Sequence, residues 1–244
     1  MNIHGFETVD SLPCLYQPDT EILVVSDLHL GLEGTMTSDG NYVPRHQLKG
    51  IKEDIEEARD LTEASRILIN GDMKNEFKTR YSETREIEEL LKFLENLFKE
   101  VIVVKGNHDT FLESTLKKFG IELKDHHLEN RTLFIHGDRE IEEPETDDFD
   151  EIVIGHEHPA LILEDDIGVR EKIPCFLYGK TAEDERITVL PAFSNISKGT
   201  GINEVPENQL LSPVIKNRTD KDNLKAVGVS REAGLFKFPK LKKI

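Results

Sequence analysis

Residues 21–31 read Glu21-Ile22-Leu23-Val24-Val25-Ser26-Asp27-Leu28-His29-Leu30-Gly31, an apolar run of strand length that passes directly into a carboxylate and an imidazole two positions apart. The pattern recurs. Arg66-Ile67-Leu68-Ile69-Asn70 runs into Gly71-Asp72, and Val101 to Val104 runs into Lys105-Gly106-Asn107-His108-Asp109. Between these runs the period changes from strand to helix. Leu48, Ile51, Ile55, Ala58 and Leu61 recur along Gln47 to Leu61. Ile87, Leu90, Leu91, Leu94 and Phe98 share one face of Ser82 to Phe98, with Ser82 as the expected N-cap. A third, shorter helix is expected over Thr110 to Phe119. Strands alternating with helices predict an α/β fold on a parallel sheet with right-handed crossovers.

After residue 120 the helical spacing thins out. Strand-length apolar runs follow at Thr132 to Ile135, Ile152 to Ile154, Ala160 to Leu163, Pro174 to Tyr178, Ile187 to Leu190, Lys225 to Val229 and Leu235 to Phe238, separated by Gly, Pro, Asn or acidic clusters. They predict a second sheet packed on the first. Two of these runs also end on chemistry: Phe134-Ile135-His136-Gly137-Asp138 and Ile154-Gly155-His156-Glu157-His158. Glu140 to Glu151 carries eight carboxylates and no base, and reads as a solvated loop; Asn217 to Asn223 reads similarly, and the Lys-rich end, Lys237 to Lys243, as frayed.

The 244 residues suit a single domain with a real core. No apolar run approaches the ~20 residues of a membrane span. The polar start, Met1 to Asp10, lacks the pattern of a cleaved signal, so a cytoplasmic protein is expected. Cys14 and Cys175 form no metal-type spacing and are expected to be reduced and buried. The formal net charge of -17 disfavours tight nonspecific binding to long nucleic acid, because the phosphate backbone is normally met by basic stripes. Any phosphate this chain handles must be captured locally.

Five of the nine histidines lie in the five strand-end segments. Ligands bind at the carboxyl ends of strands in open α/β sheets, where successive loops converge. Asp27 and His29, two apart on extended chain, would point to one side and grip one ion, and His156 and His158 would repeat that geometry. Asp72, after a Gly in a tight turn, is placed to bridge two ions; Asn107 offers an amide oxygen and His136 another nitrogen. Seven oxygen and nitrogen ligands without a thiolate suit manganese first, or iron, zinc, nickel or cobalt. Seven is too many for one tetrahedral centre and suits two ions. Two divalent ions, offset by Asp27 and Asp72, leave positive charge suited to a phosphate ester, and lower the pKa of bound water towards ~7. His108 is left free to protonate a leaving oxygen or stabilise the phosphate, with Asp109 as the expected orienting partner.

In this order the segments resemble the five blocks of the calcineurin-like metallophosphoesterase superfamily: D-x-H, G-D, G-N-H-D/E, H and G-H-x-H. The resemblance implies a four-layer α/β/β/α sandwich of two mixed sheets. It implies one metal held by Asp27, His29, Asp72 and His158, and another by Asp72, Asn107, His136 and His156. It also implies that His108 is the general acid or phosphate-binding group. Ser26 to Gly31, Gly40 to Pro44, Gly71-Asp72-Met73-Lys74 and Leu190-Pro191-Ala192-Phe193 further resemble the ICC-like branch, related to a ligase-associated DNA repair nuclease. One position departs, since Asn75 stands where that branch would carry a histidine.

Arg45 and Lys74 are candidate contacts to substrate phosphate, with His46 a weaker one; Asn195, Ser197 and Thr200 in the Phe193 to Gly201 loop are candidate pocket residues. His126 and His127 read as structural, and His4 as unrelated to the site. The expected activity is hydrolysis of nucleotide-derived phosphodiesters, either cyclic nucleotides or nucleic-acid ends. The same metal site permits a phosphomonoesterase or protein phosphatase, and the fold also permits a non-catalytic interaction scaffold.

Overall fold

The computed structural model describes residues 1–38, 40, 46–78, 80–141, 149–194, 196–197 and 199–244. Strands β1 (Asn2–Ile3), β2 (Phe6–Thr8), β3 (Leu15–Gln17) and β4 (Ile22–Val25) form an antiparallel meander. From β4 the chain passes through helices α1 (Leu32–Ser38) and α2 (Gln47–Thr62) to β5 (Arg66–Asn70). Helix α3 (Tyr81–Leu97) leads to β6 (Glu100–Val104), and the short α4 (Glu113–Leu116), extended by a 3-10 turn over Lys117–Phe119, leads to β7 (Leu123–Lys124). β4 to β7 are mutually parallel, so the first sheet runs β1 to β7 in chain order.

The second sheet contains β8 (His127–Glu129), β9 (Thr132–Phe134), β10 (Glu151–Ile154), β11 (Pro159–Glu164), β12 (Arg170–Lys180), β13 (Arg186–Val189) and β14 (Thr200–Gly201). Helix α5 (Pro213–Arg218) precedes its last hairpin, β15 (Lys225–Ser230) and β16 (Gly234–Lys240), which pairs onto β12. β10 lies parallel to both β9 and β13, and the β12 pairings to β11, β13 and β15 are antiparallel, so both sheets are mixed.

Alternation along the strands builds the layers. In β4 and β5, Leu23, Val25, Ile67 and Ile69 pack with Ile51, Ile55, Ile87, Leu90 and Leu94 of α2 and α3. Their neighbours Ile22, Val24 and Leu68 face the other way and meet Phe134, Val153 and Phe176 of the second sheet. Beyond Val153, Ile152 and Ile154 pack with Val214 and Ile215 of α5. Strands buried on both faces read as continuous apolar runs, which is why β4, β5 and β10 show no polar alternation. The result is the α/β/β/α sandwich expected from the sequence.

Several expectations are corrected. Ser82 does not cap α3, which begins at Tyr81 after an extended Arg80 with no side-chain cap. The helix expected over Thr110 to Phe119 has its α-helical part only at Glu113–Leu116. The Lys-rich end is not frayed: Lys237 and Lys240 lie in β16, Leu241 is buried, and its amide donates to Leu224 O at 2.9 Å. Glu151, assigned to a solvated loop, is a buried residue of β10; residues 142–148 of that stretch lie outside the described residues. Cys14 and Cys175 are free and buried. No helix among the described residues is long and apolar enough to cross a membrane.

Candidate metal centre

The strands of the two sheets stop, but the chain segments that follow them keep pairing. Past β4 and β5, Asp27 N donates to Gly71 O at 3.1 Å, His29 N to Asp72 O at 3.0 Å and Leu30 N to Met73 O at 3.0 Å. From the second sheet, Gly155 N donates to His136 O at 3.0 Å, and Phe193 N donates across to Ser26 O at 2.8 Å. Asn70 ties the sheets together, its amide nitrogen donating to Ile135 O at 2.9 Å and Val153 O at 3.1 Å. Five chain segments therefore converge on one place.

Two carboxylate oxygens form its centre. Oδ1 of Asp27 lies 2.9 Å from Nε2 of His158, 3.9 Å from that of His136 and 4.0 Å from that of His29. Oδ2 of Asp72 lies 3.2 Å from Nε2 of His136, 3.8 Å from that of His29 and 4.0 Å from that of His108. Three overlapping groups can each hold an ion: Asp27 with His29 and His158, His29 with Asp72 and His108, and Asp72 with His136 and His156.

The local geometry differs from the expectation of extended chain. Asp27 (φ 59°), His29 (φ 45°), Asp72 (φ 51°), His156 (φ 62°) and His158 (φ 47°) all adopt left-handed backbone. Such residues cost of order ~1 kcal/mol or more each and persist where the surroundings over-determine them. His156 and His158 fall in different groups, as the family resemblance implies. His158 groups with Asp27 and His29, whereas His156 groups with Asp72 and His136.

Glycines make the approach possible. A Cβ on Gly71 would collide with the His136 ring, one on Gly106 with the Asp72 carboxylate, and one on Gly155 with the Ser26 hydroxyl and with Asp27 Oδ2 at 2.6 Å. The glycines of the G-D, G-N-H-D and G-H-x-H segments are thus needed for lack of a side chain, because ligands from neighbouring segments occupy that space.

The donor set fits bound cations. Nε2 of His136 and Oδ1 of Asn107 are buried without hydrogen bonds, and Nε2 of His29 and of His158 face each other at 3.2 Å. His136 Nδ1 rests on Asn70 O at 3.0 Å, so its proton is donated backwards and Nε2 is left to the centre. His158 Nδ1 is held by Ser197 Oγ at 2.9 Å. Nδ1 of His29 is buried without a hydrogen bond to any described residue.

Charge and burial pull against each other here. Burial alone would raise the Asp27 carboxyl, but His158 first, then His136 and His29, hold it well below the carboxylate range. Burial would lower His136, yet Asp72 and Asp27 raise it to about 10. His29 and His156 are pushed down to about 4, chiefly by burial. Without an ion, the carboxylates thus keep a proton on His136.

His108 sits closer to the ligands than the sequence suggests. Its amide donates to Asp72 Oδ1 at 2.8 Å, its Nδ1 contacts Asn75 O, and its ring stacks on Phe77 with centroids 4.2 Å apart. Its side chain is 23% exposed, more open than those of His29, His136 or His158. The expectation for Asp109 is corrected. Asp109 Oδ2 accepts from Gly106 N at 2.8 Å and Oδ1 from Lys74 N at 3.3 Å, so it clasps two loops while the Asn75 carbonyl orients His108. Burial, followed by the nearby Asp72 charge, raises Asp109 to about 7.

Lys74 is also corrected as a phosphate contact: its ammonium is buried without a hydrogen bond, 3.8 Å from Glu83. Arg45 and Asn195 lie outside the described residues. Ser197 touches His158, whereas Thr200 belongs to β14. The sequence reading missed four residues that shape the centre: Asn70, Ser26, Phe77 and Gln47. The Gln47 amide nitrogen lies 2.9 Å from His29 O, 3.1 Å from Leu28 O and 3.1 Å from Ser194 Oγ. Asn70, directly before Gly71-Asp72, was the most discoverable, as a polar residue ending a buried strand.

A family model described as calcineurin-like phosphoesterase matches residues 20–222. Among solved structures, the nuclease MPE of Pseudomonas putida is similar, with a TM-score of 0.65, 18% identity and coverage of 98% of both chains. A protein of unknown function from Aquifex aeolicus aligns with a TM-score of 0.37 and 18% identity over 56% of this chain and 78% of its own, too low a likeness to carry an argument. No curated protein matches the chain.

Proposed function

The chain belongs to the calcineurin-like phosphoesterase family and is a metal-dependent phosphoesterase; from that premise we propose that it is a two-metal phosphodiesterase for nucleotide-derived diesters, either cyclic nucleotides or nucleic-acid ends. One observation carries the two-metal reading. Asp27 Oδ1 and Asp72 Oδ2 lie within reach of His29, His136 and His158, and with His156 and the buried Asn107 Oδ1 the seven donors exceed what one ion can use. Asp27, His29 and His158 would hold one ion, and His136, His156 and Asn107 the other, with Asp72 between them.

When bound, two divalent ions would supply an activated water and Lewis-acid stabilisation of the phosphate oxygens. The chain's own residues do the rest. Asn70 and Ser197 fix the ring orientations of His136 and His158. His108, with Nδ1 directed to the Asn75 carbonyl, presents Nε2 to the centre, where it can give a proton to a leaving oxygen or hydrogen-bond the phosphate. Manganese is the metal we favour for this nitrogen and oxygen donor set. The nuclease described above supports a diester over a monoester. The net charge of -17 argues for weak, salt-sensitive binding confined to the reacting phosphate and a short flank.

The test is metal content together with turnover of bis- and mono-p-nitrophenyl phosphate, cyclic nucleotides and short oligonucleotides by manganese-reconstituted protein. Two ions per chain and a preference for diesters are expected. One ion per chain overturns the two-metal reading, and a preference for monoesters overturns the diesterase reading.

A further inference from the structure

Two exposed phenylalanines lie near His108 in the fold or the chain: Phe77 stacks on its ring and Phe111 follows it by three residues. Phe77 is 53% exposed while one face of its ring stacks on the His108 ring, 29° from parallel. Phe111 is 73% exposed and stands at φ 65°, a conformation costly for a bulky side chain. The Thr110 hydroxyl donates to the Phe77 carbonyl, so the loops that carry the two rings are tied together beside the centre.

Neither exposure is explained by folding. Leu112, next to Phe111, is buried and joins the core on α2 and α3, but the Phe111 ring contributes little there. A strained, solvent-facing aromatic three positions from His108 is not repaid by burial. Phe77 stacks on that histidine, and the Thr110–Phe77 hydrogen bond ties the loop that carries Phe111 to it. In a nucleotide-derived diester, the flat group is the nucleobase. Base–aromatic stacking tolerates any base and needs no basic surface, which suits a chain of net charge -17.

We propose that Phe77 and Phe111 form a stacking rim for a nucleobase beside the reacting phosphate, making a base next to the scissile bond a specificity element. This rests on the phosphodiesterase reading and narrows it. Phe111 is the cleaner probe, because Phe77 also positions His108. Phe111→Asn removes the ring yet tolerates left-handed backbone, and Phe111→Tyr keeps the ring.

The experiment compares a dinucleotide with the same diester lacking one base. The wild-type chain is expected to show a KM about tenfold lower for the base-bearing diester, within the range of stacking on one aromatic ring. Phe111→Asn should bring the two KM values close together and leave kcat on the abasic diester unchanged; Phe111→Tyr should restore the difference. In parallel, phenylalanine ring resonances of the zinc-loaded protein should move when the dinucleotide is added, and stay in place with the abasic diester. Equal KM values in the wild type, or rings that do not respond to the base, overturn the stacking rim while leaving the phosphodiesterase standing. Failure to cleave either diester overturns both.

Discussion

Nε2 of His158 lies 2.9 Å from Oδ1 of Asp27, although one residue follows β10 of the second sheet and the other follows β4 of the first. Asp72 and His136 repeat the relationship at 3.2 Å. Each pair joins a carboxylate from one sheet to an imidazole from the other, so the ligand set is complete only when the sandwich has closed. Folding and metal affinity are therefore coupled.

Asp72 is the proposed bridge, so Asp72→Ala should lose both ions, whereas His156→Ala should lose one. Elemental analysis of the purified variants distinguishes them. Loss of both ions from Asp27→Ala, with one retained in Asp72→Ala, would move the bridge to Asp27.

Gly106→Ala and Gly155→Ala should stay folded by circular dichroism but bind metal about 10–100-fold more weakly, because the added methyl displaces Asp72 or the Ser26–Asp27 pair. Gly34→Ala is the control, since no described residue lies within 4 Å of a Cβ there. Equal metal affinity in all three would show that the centre relaxes freely.

His136 is raised to about 10 in the ion-free centre, so it carries a proton at neutral pH and must release it to bind metal. Metal affinity should therefore rise with pH from 6 to 9. Calorimetry at pH 7 in two buffers of different ionisation enthalpy should show proton release on binding. Absence of any buffer dependence would contradict a protonated His136.

Glu151, buried at the start of β10 with Arg186 at 3.3 Å and His4 at 3.7 Å, is raised to about 7, mainly by burial. A carboxyl whose folded pKa exceeds its unfolded value of about 4.5 binds its proton more tightly when folded. Its contribution to stability is then present below the unfolded pKa and lost as pH rises towards 7. Glu151→Gln mimics the protonated form. The variant should gain on the wild type between pH 4 and pH 8, by an amount on the order of 3 kcal/mol in denaturant unfolding. A constant difference across that range would contradict the shift.

Because the Asn75 carbonyl, and not its side chain, contacts His108, Asn75→Ala should keep kcat within about twofold, while His108→Ala should lower it ~10²- to 10⁴-fold at unchanged metal content. The departure from the histidine expected at residue 75 would then be neutral for the hydrolytic step. A large loss of kcat in Asn75→Ala would assign that step to its amide.

The sequence determined the order of strands and helices, since the switch from strand to helical period around Ile22 to Val25, Gln47 to Leu61 and Arg66 to Asn70 is written locally in side-chain spacing. It also pointed to Asp27, His29, Asp72, His108, His136, His156 and His158, which the structure gathers in one place. The elements it left unread, β1 to β3, α1, β7, β8, β14 and α5, are too short for a period to show.

Only the tertiary structure supplied the backbone conformation that places the D-x-H and H-x-H residues. On extended chain, two residues apart would mean one side and one ion. All four residues instead adopt left-handed backbone, and Asp27 and His29 share a group while His156 and His158 fall in two, the division that the family resemblance implies. The same holds for Asp109 and Lys74, adjacent in sequence to the chemistry but turned into the protein by Gly106 and Glu83. Spacing along a chain constrains direction only while the backbone conformation is known, and here contacts between two sheets distant in sequence impose that conformation.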